Sequence, residues 1–153
     1  MNYQRTEARR IALQAMYQLE VPGDEYLDEG LAAFVYEASE DPEVRESASF
    51  MGRKAWAFHK QADEWLGKLA AKWPVYRMAT VDRNILRLAA WELVNCPQTP
   101  PKVVLDEAIN MGKEFSTADS GSFINGILDA LLKEHLALTG RTVAAKGVRQ
   151  PDG

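Results

Sequence analysis

The chain has 153 residues, of which 46% are apolar and 26% charged, a composition typical of a soluble globular domain. A single domain of this length buries about 70% of the surface of its unfolded chain. The net charge of −4 does not favour a nucleic-acid binder, although a local basic patch still attracts phosphates because salt screens charge over only about 8 Å.

Signals for export, membrane insertion and metal binding are not evident. No apolar run approaches the roughly 20 residues that span a bilayer, and the charged start lacks the apolar core of a signal peptide. Cys96 stands alone, which excludes an intramolecular disulfide and a four-cysteine zinc site, so we interpret it as a small hydrophobe near a helix end. We expect a cytoplasmic protein with no membrane association, metal or cofactor.

The first half of the chain is predicted to be helical. A second helix is expected over about residues 26–39 and a long third helix over about 43–72, with a strongly acidic segment from Asp24 to Glu46. Pro22-Gly23 ends the first helix, predicted over residues 4–20. Its apolar residues recur at steps of three and four and form one buried stripe, made of Ala8, Ile11, Ala12, Ala15 and Leu19.

The second half is also predicted to be helical. Trp73-Pro74 marks the expected boundary between subdomains of about residues 1–73 and 74–139. Thr80 is expected to cap a fourth helix, and a proline-rich corner then leads into the next helix. Residues 140–153 are small, polar and modestly basic, and we predict a disordered tail. With no convincing strand in the chain, the predicted fold class is all-α.

The opening helix carries a first set of candidate RNA contacts. Arg10 and Tyr17 are seven residues apart and share one side with Gln14, while Arg5 and Arg9 lie four apart on an adjacent strip. Guanidinium groups pair with phosphates, and an exposed tyrosine stacks on an unpaired base for about 1–3 kcal/mol. On spacing alone, a solvated helix face with a tyrosine at its edge is the commoner interpretation.

The polar turn from Ser116 to Ser122 is a second candidate. Hydroxyl and carboxylate side chains cap helix N-termini, which is the ordinary interpretation of such a turn. The same backbone N–H groups also attract anions, and Asp119 could accept from a base amino group such as cytosine N4. Capping and base contact are compatible.

The fourth helix offers a third candidate face, formed by Arg83, Arg87 and Trp91. Exposed groups of this kind are enriched at the centres of protein–protein contacts, but a tryptophan that covers a helix–helix seam is the commoner outcome. Gly126, inside the last helix, predicts the close approach of another helix.

A catalytic role finds little support. Neither histidine has an acid or a cysteine positioned near it in the sequence, and the scattered glycines form no phosphate cradle. We therefore expect a noncatalytic binding module.

Four segments of the sequence, taken in order, resemble the NusB family of bacterial transcription antitermination factors. Any one segment is weak support, but all four in this order cover nearly the whole chain. The segments are ARRIALQAMYQLE at Ala8–Glu20, VDRNILRLAAWEL at Val81–Leu93, PPKVVLDEAINMGKEF at Pro100–Phe115 and DSGSFINGILD at Asp119–Asp129.

The resemblance implies an all-α fold of two small helical bundles packed across each other. It also implies a noncatalytic factor that binds the boxA segment of nascent ribosomal RNA together with NusE, a ribosomal protein, and that joins the RNA polymerase elongation complex. The matching NusE contacts are Asp82 and Arg83. The matching RNA contacts, expected on one continuous exterior strip, are Arg5, Arg9, Arg10, Gln14, Tyr17, Asp119, Ser120, Ser122 and Phe123.

The chain departs from the family pattern in its acidic second helix, in the tail after Leu138 and at two places in the RNA-contact segments. Thr6 and Glu7 interrupt the basic N-terminus, and Ser122 stands where a basic side chain is common. Fewer cations release fewer counterions, so we expect weak RNA affinity without NusE.

Two other functions stay open at this point. One is a helical module that acts only through protein partners, by the Trp91 face or by homodimerisation. The other is the RNA-recognition domain of an RNA cytosine methyltransferase, which would need a downstream cofactor-binding domain.

Overall fold

The computed structural model describes residues 3–70 and 74–136, and these residues form seven α-helices and no strand, which confirms the all-α prediction. None of these helices combines the length and the hydropathy that crossing a bilayer requires. The predicted tail, residues 140–153, lies outside the described residues. The helices are α1 Tyr3–Leu19, α2 Leu27–Ala38, α3 Pro42–Ala57, α4 His59–Leu69, α5 Thr80–Asn95, α6 Pro101–Phe115 and α7 Ser120–Leu131.

The chain divides into two compact units, one ending at Phe58 and the other beginning at His59. This division falls inside the stretch predicted as one long helix over residues 43–72, and that prediction was wrong. The N–H of Phe58 donates to the carbonyls of Lys54 and Ala55 at 3.1 and 3.2 Å, which closes α3, and α4 then begins at once. The expected subdomain boundary, Trp73-Pro74, instead follows α4.

In the first unit, α1 packs against α2 and α3. The apolar stripe predicted for α1 is buried throughout, as the periodicity indicated. Gly52 of α3 permits close packing, because a Cβ built there would lie 3.1 Å from Cδ1 of Leu31. Asp41 caps α3 by accepting from the N–H of Glu43 at 2.9 Å, and Pro42 occupies the first helical position.

In the second unit, α5 is the central helix and packs against α4, α6 and α7. Every residue from Asn84 to Leu93 is buried, as expected for a helix surrounded on all sides. Arg87 and Trp91 are each only 6% exposed, so the predicted exposed contact face is wrong for both. The alternative interpretation, a tryptophan that fills a helix–helix seam, is confirmed.

The structure confirms the prediction for Cys96 and contradicts those for Thr80 and Gly126. Thr80 is the first residue of α5 and does not cap it, since Ala79 occupies the cap position. Cys96 is buried at the C-terminal end of α5, as expected. The close helix approach predicted at Gly126 is absent, because a Cβ there would meet no atom within 4 Å, whereas one at Gly112 would lie 2.8 Å from Cδ1 of Ile124.

Candidate nucleic-acid interface

The side of α1 opposite its buried stripe carries polar and aromatic side chains, here called the outer stripe. Tyr3 is 77% exposed and Tyr17 is 50% exposed. Gln14 is also exposed, and Arg10 is half-buried. Because the steps alternate between four and three residues, these side chains follow one side of the helix. The members of the outer stripe are Tyr3, Glu7, Arg10, Gln14 and Tyr17.

The three arginines of α1 have different surroundings. Arg10 belongs to the outer stripe, where its Nε lies 3.9 Å from Oε1 of Glu7. Arg5 is half-buried. Arg9 is only 2% exposed, since its position in the helical repeat groups it with Ala12 on the buried side. The sequence prediction of a second exposed strip is therefore wrong for Arg9, and its guanidinium is not presented to solvent.

The start of α7 is organised around the hydroxyl of Ser120, which is only 3% exposed. Its Oγ donates to Oδ2 of Asp82 at 3.2 Å and lies 2.8 Å from Oγ of Ser116. It also accepts the N–H of Thr117 at 3.3 Å and lies 3.1 Å from that residue's hydroxyl. These four residues form the Ser120 corner, which ties the first turn of α5 to the turn before α7.

Two side chains of the predicted turn, those of Asp119 and Ser122, face solvent. Asp119 occupies the cap position of α7, but its side chain makes no capping hydrogen bond, so the capping interpretation fails for this residue. Asp119 and Ser122 are exposed, and Phe123 is half-buried. The turn therefore places the buried hydroxyl of Ser120 beside the exposed carboxylate of Asp119 and the exposed hydroxyl of Ser122.

Only one of the two carboxylate oxygens of Asp82 accepts a hydrogen bond within the described residues. Oδ2 accepts from Ser120, whereas Oδ1 is buried and has no hydrogen-bond partner among residues 3–70 and 74–136. Asp82 lies in the first turn of α5, where the helix dipole favours a negative charge. An unpaired buried oxygen on a charged group costs free energy, so Oδ1 is the strained side of this carboxylate.

An open groove of about 540 Å³ is lined in part by Asp82. Its wall combines a carboxylate, a hydroxyl and a cation with apolar surface, including one aromatic ring. Groups of these kinds bind cationic side chains, base amino groups and base faces. The lining residues are Arg77, Met78, Ala79, Asp82, Thr117 and Phe123.

Arg83 bonds to the turn before α5, which supplies Met78 and Ala79 to the groove wall. Its Nη1 donates to the carbonyls of Val75 and Met78, each at 3.3 Å, and its Nη2 lies 3.5 Å from Oγ1 of Thr80. The guanidinium thus holds the turn before α5 in place. Arg83 was predicted as a partner contact, and the structure adds this local role.

The second unit joins residues that the sequence assigned to different surfaces. Asp82, predicted for NusE, bonds directly to Ser120, predicted for RNA. Sequence reasoning missed Arg77, and it included Ser116 and Thr117 only as members of the polar turn. The contacts of these residues depend on how α5 meets the turn before α7. Within residues 3–70 and 74–136, no group of three or more histidine, cysteine, aspartate or glutamate side chains is placed to hold a metal ion.

Comparison with known proteins identifies the family. The model of the NusB family matches residues 6–133. A transcription antitermination protein NusB from Syntrophus aciditrophicus is 45% identical over 130 residues, which cover 84% of this chain and 79% of that protein. The NusB of Salinibacter ruber is 38% identical over 130 residues, covering 84% of this chain and 80% of that protein.

Solved structures give the same result. A structure of T. maritima NusB superposes with a TM-score of 0.75 at 34% identity and covers 88% of this chain and 94% of that chain. A structure of the antitermination factors NusB and NusE in complex with dsRNA matches with a TM-score of 0.78 at 25% identity, covering 88% and 100%. Antitermination factors are not enzymes, in agreement with the sequence prediction. On its sequence and its fold, the chain belongs to the NusB family.

Proposed function

We propose that this chain is a cytoplasmic, noncatalytic antitermination factor that binds boxA RNA of nascent ribosomal RNA transcripts together with NusE. In this role it joins the RNA polymerase elongation complex. The proposal is supported by membership in the NusB family and by similarity to a NusB solved with NusE and dsRNA.

The observation that carries the proposal is the Ser120 corner with its groove. Asp119 and Ser122 face solvent at the start of α7, and the half-buried Phe123 lines the groove beside them. A carboxylate accepts from base amino groups, a hydroxyl reaches phosphates or bases, and an aromatic ring stacks on a base. We assign RNA contact at this site to Asp119, Ser122 and Phe123, with Ser120 as the residue that holds the corner together.

Helix α1 supplies the second RNA-binding segment in this proposal. Tyr17 offers an exposed ring for stacking, and Gln14 offers both a donor and an acceptor. Arg10 and Arg5 are the cations assigned to phosphates. Arg9 is left out of the direct contacts because it is only 2% exposed.

NusE is assigned to the neighbourhood of Asp82 and Arg83. The support is the buried Oδ1 of Asp82, which lacks a donor among the residues that the structure describes. A basic side chain of the partner would satisfy it by a charge-assisted hydrogen bond. The protein-only alternative loses its main support, because Trp91 is only 6% exposed.

The test is fluorescence binding of the full chain to a boxA-like RNA and to a scrambled RNA, with and without NusE, at several salt concentrations. Two phosphate contacts give a log–log salt slope of about −1.4, at roughly −0.7 for each contact on a single strand. Arg10→Ala is expected to weaken binding to both RNAs and to reduce the slope by about 0.7. Lys102→Ala, which removes an exposed cation on α6, is the matched control.

Three results would contradict the proposal. A flat salt profile would exclude binding through phosphates. Equal affinity for the two RNAs in the presence of NusE would exclude boxA recognition. Capture of NusE with no contribution from RNA, or self-association that removes RNA binding, would favour the protein-only module.

A further inference from the structure

Tyr3 is the most exposed aromatic residue of α1. Its side chain is 77% exposed, against 50% for Tyr17, and both belong to the outer stripe. Tyrosine rings combine a large apolar face with a polar tip, and a strongly exposed ring leaves its face open to stacking. Neither the sequence pattern nor the proposed function above uses this residue.

The spacing of the two tyrosines matches a track along the helix. Tyr3 and Tyr17 are fourteen residues apart, which is close to four full turns, so the two rings lie on the same side of α1. At a rise of 1.5 Å per residue, their Cα atoms are separated by about 21 Å along the axis. Arg10 lies midway between them and Gln14 lies one turn before Tyr17, so polar groups fill the interval.

We infer that Tyr3 is a second stacking platform for single-stranded RNA, so that a bound strand runs along α1 from Tyr17 to Tyr3. This inference rests on the RNA-binding function proposed above and extends it by one contact residue and one direction. Aromatic rings stack on any base, so the platform contributes to affinity and not to sequence preference.

Glu7 sets the orientation of the strand on this surface. Its carboxylate lies on the outer stripe between Tyr3 and Arg10, with Oε1 3.9 Å from Nε of Arg10. A phosphate placed directly over Glu7 would be repelled, whereas a base amino group could donate to it. The strand therefore turns its bases toward α1 along this interval and keeps its phosphates away from Glu7.

The distance between the platforms also fixes which nucleotides they contact. A strand stacked at about 3.4 Å per nucleotide covers the 21 Å interval in roughly six nucleotides. An extended strand covers it in fewer. Tyr3 and Tyr17 thus contact different nucleotides, several positions apart.

The first experiment measures the affinity of the full chain for a 12-nucleotide single-stranded RNA. Tyr3→Ala is expected to weaken binding by about 5- to 150-fold, the range for loss of one base–aromatic stack, and Tyr3→Phe is expected to stay within about 2-fold of the parent chain. Tyr36→Ala is the matched control, because that ring is 65% exposed but is already covered by the guanidinium of Arg45 at 3.8 Å. Circular dichroism checks that each variant retains its helix content.

The second experiment places 2-aminopurine at one position of the RNA at a time and records its quenching. Tyr3→Ala is expected to relieve the quenching at one position, and Tyr17→Ala at another position about three to six nucleotides away. Relief at the same position in both variants would overturn the inference, as would an affinity change below 2-fold for Tyr3→Ala.

RNA binding by the parent chain separates failure of the proposed function from failure of the second platform. If the parent chain shows no salt-dependent RNA binding at all, the proposed function itself is wrong. If the parent chain binds and Tyr17→Ala weakens binding while Tyr3→Ala does not, only the second platform is wrong.

Discussion

Helices α1 and α5 both carry arginines at four-residue spacing, yet they use them differently. On α5, Arg87 is 6% exposed and is bound within the second unit. On α1, Arg9 is buried, but Arg10 stays on the outer stripe, where its Nε lies 3.9 Å from Oε1 of Glu7. The difference follows from the number of neighbours, because α5 is surrounded by three helices whereas one side of α1 faces solvent.

The guanidinium of Arg87, the buried arginine of α5, is held by hydrogen bonds to two side chains. Its Nε and Nη2 donate to Oδ1 and Oδ2 of Asp63 at 2.8 and 2.7 Å, and its Nη1 donates to Oδ1 of Asn84 at 3.1 Å. This bidentate geometry satisfies the guanidinium in a place with little water. An arginine in a helical repeat is therefore either an internal ion-pair partner or a surface cation, depending on what packs around the helix.

The largest expected effect tests this contrast directly. Arg87→Met is expected to lower the free energy of unfolding by about 3 kcal/mol, because the carboxylate of Asp63 loses its partner. Arg10→Met should change it by less than about 0.5 kcal/mol, as expected for an exposed pair. Urea unfolding followed by circular dichroism measures both, and similar losses for the two variants would break the comparison.

An intermediate effect on stability is expected from two glycines, Gly112 of α6, which faces a neighbouring helix, and Gly126 of α7, which does not. Gly112→Ala is expected to destabilise the chain by about 1–3 kcal/mol, because the added Cβ would meet Cδ1 of Ile124 at 2.8 Å. Gly126→Ala places its Cβ in open space within a helix and is expected to stabilise by about 0.5–1 kcal/mol. Thermal unfolding of the two variants gives the comparison, and the same sign for both would contradict the assigned packing.

The smallest effect concerns a contact of α1 with the start of α3. The Gln4 amide, 3.0 Å from Oδ2 of Asp41, and the N–H of Glu43 lower the pKa of that carboxyl below its ordinary value of 3.8. Since the folded state favours the ionised form, this contribution is present above the unfolded pKa and is lost as the pH falls through the lower folded pKa.

We therefore expect the parent chain to lose stability more steeply than Asp41→Asn as the pH falls below about 4. Urea midpoints between about pH 2 and pH 6 measure the difference. Parallel pH profiles for the two chains would show that the Gln4 contact does not favour the ionised carboxyl.

Local periodicity was sufficient to predict much of this fold. The stripe of α1 is buried as its three- and four-residue steps indicated, and the proline-rich corner does separate α5 from α6. These features depend on neighbours in sequence, so the sequence displays them directly. The exposed ring of Tyr17 follows from the same reasoning.

Features that depend on distant contacts were not accessible in this way. The burial of Arg87 requires Asp63, which comes from another helix, and no proline or glycine marks the break at Phe58. The corner at the start of α7 was visible as a polar turn, but the link from Ser120 to Asp82 joins residues 38 positions apart. Periodicity reports which side of a helix is apolar, and it does not report how many partners the helix has.

The hydroxyl of Ser120 has a single proton but lies within hydrogen-bonding distance of three side-chain oxygens, on Asp82, Ser116 and Thr117. The anion at Asp82 attracts that proton, which obliges the other two hydroxyls to point their own protons toward Ser120 or elsewhere. One negative charge therefore fixes the direction of the Ser120 proton. Asp82→Asn, with nearly unchanged shape, would remove that charge and leave the proton free to turn toward the hydroxyl of Ser116 or Thr117.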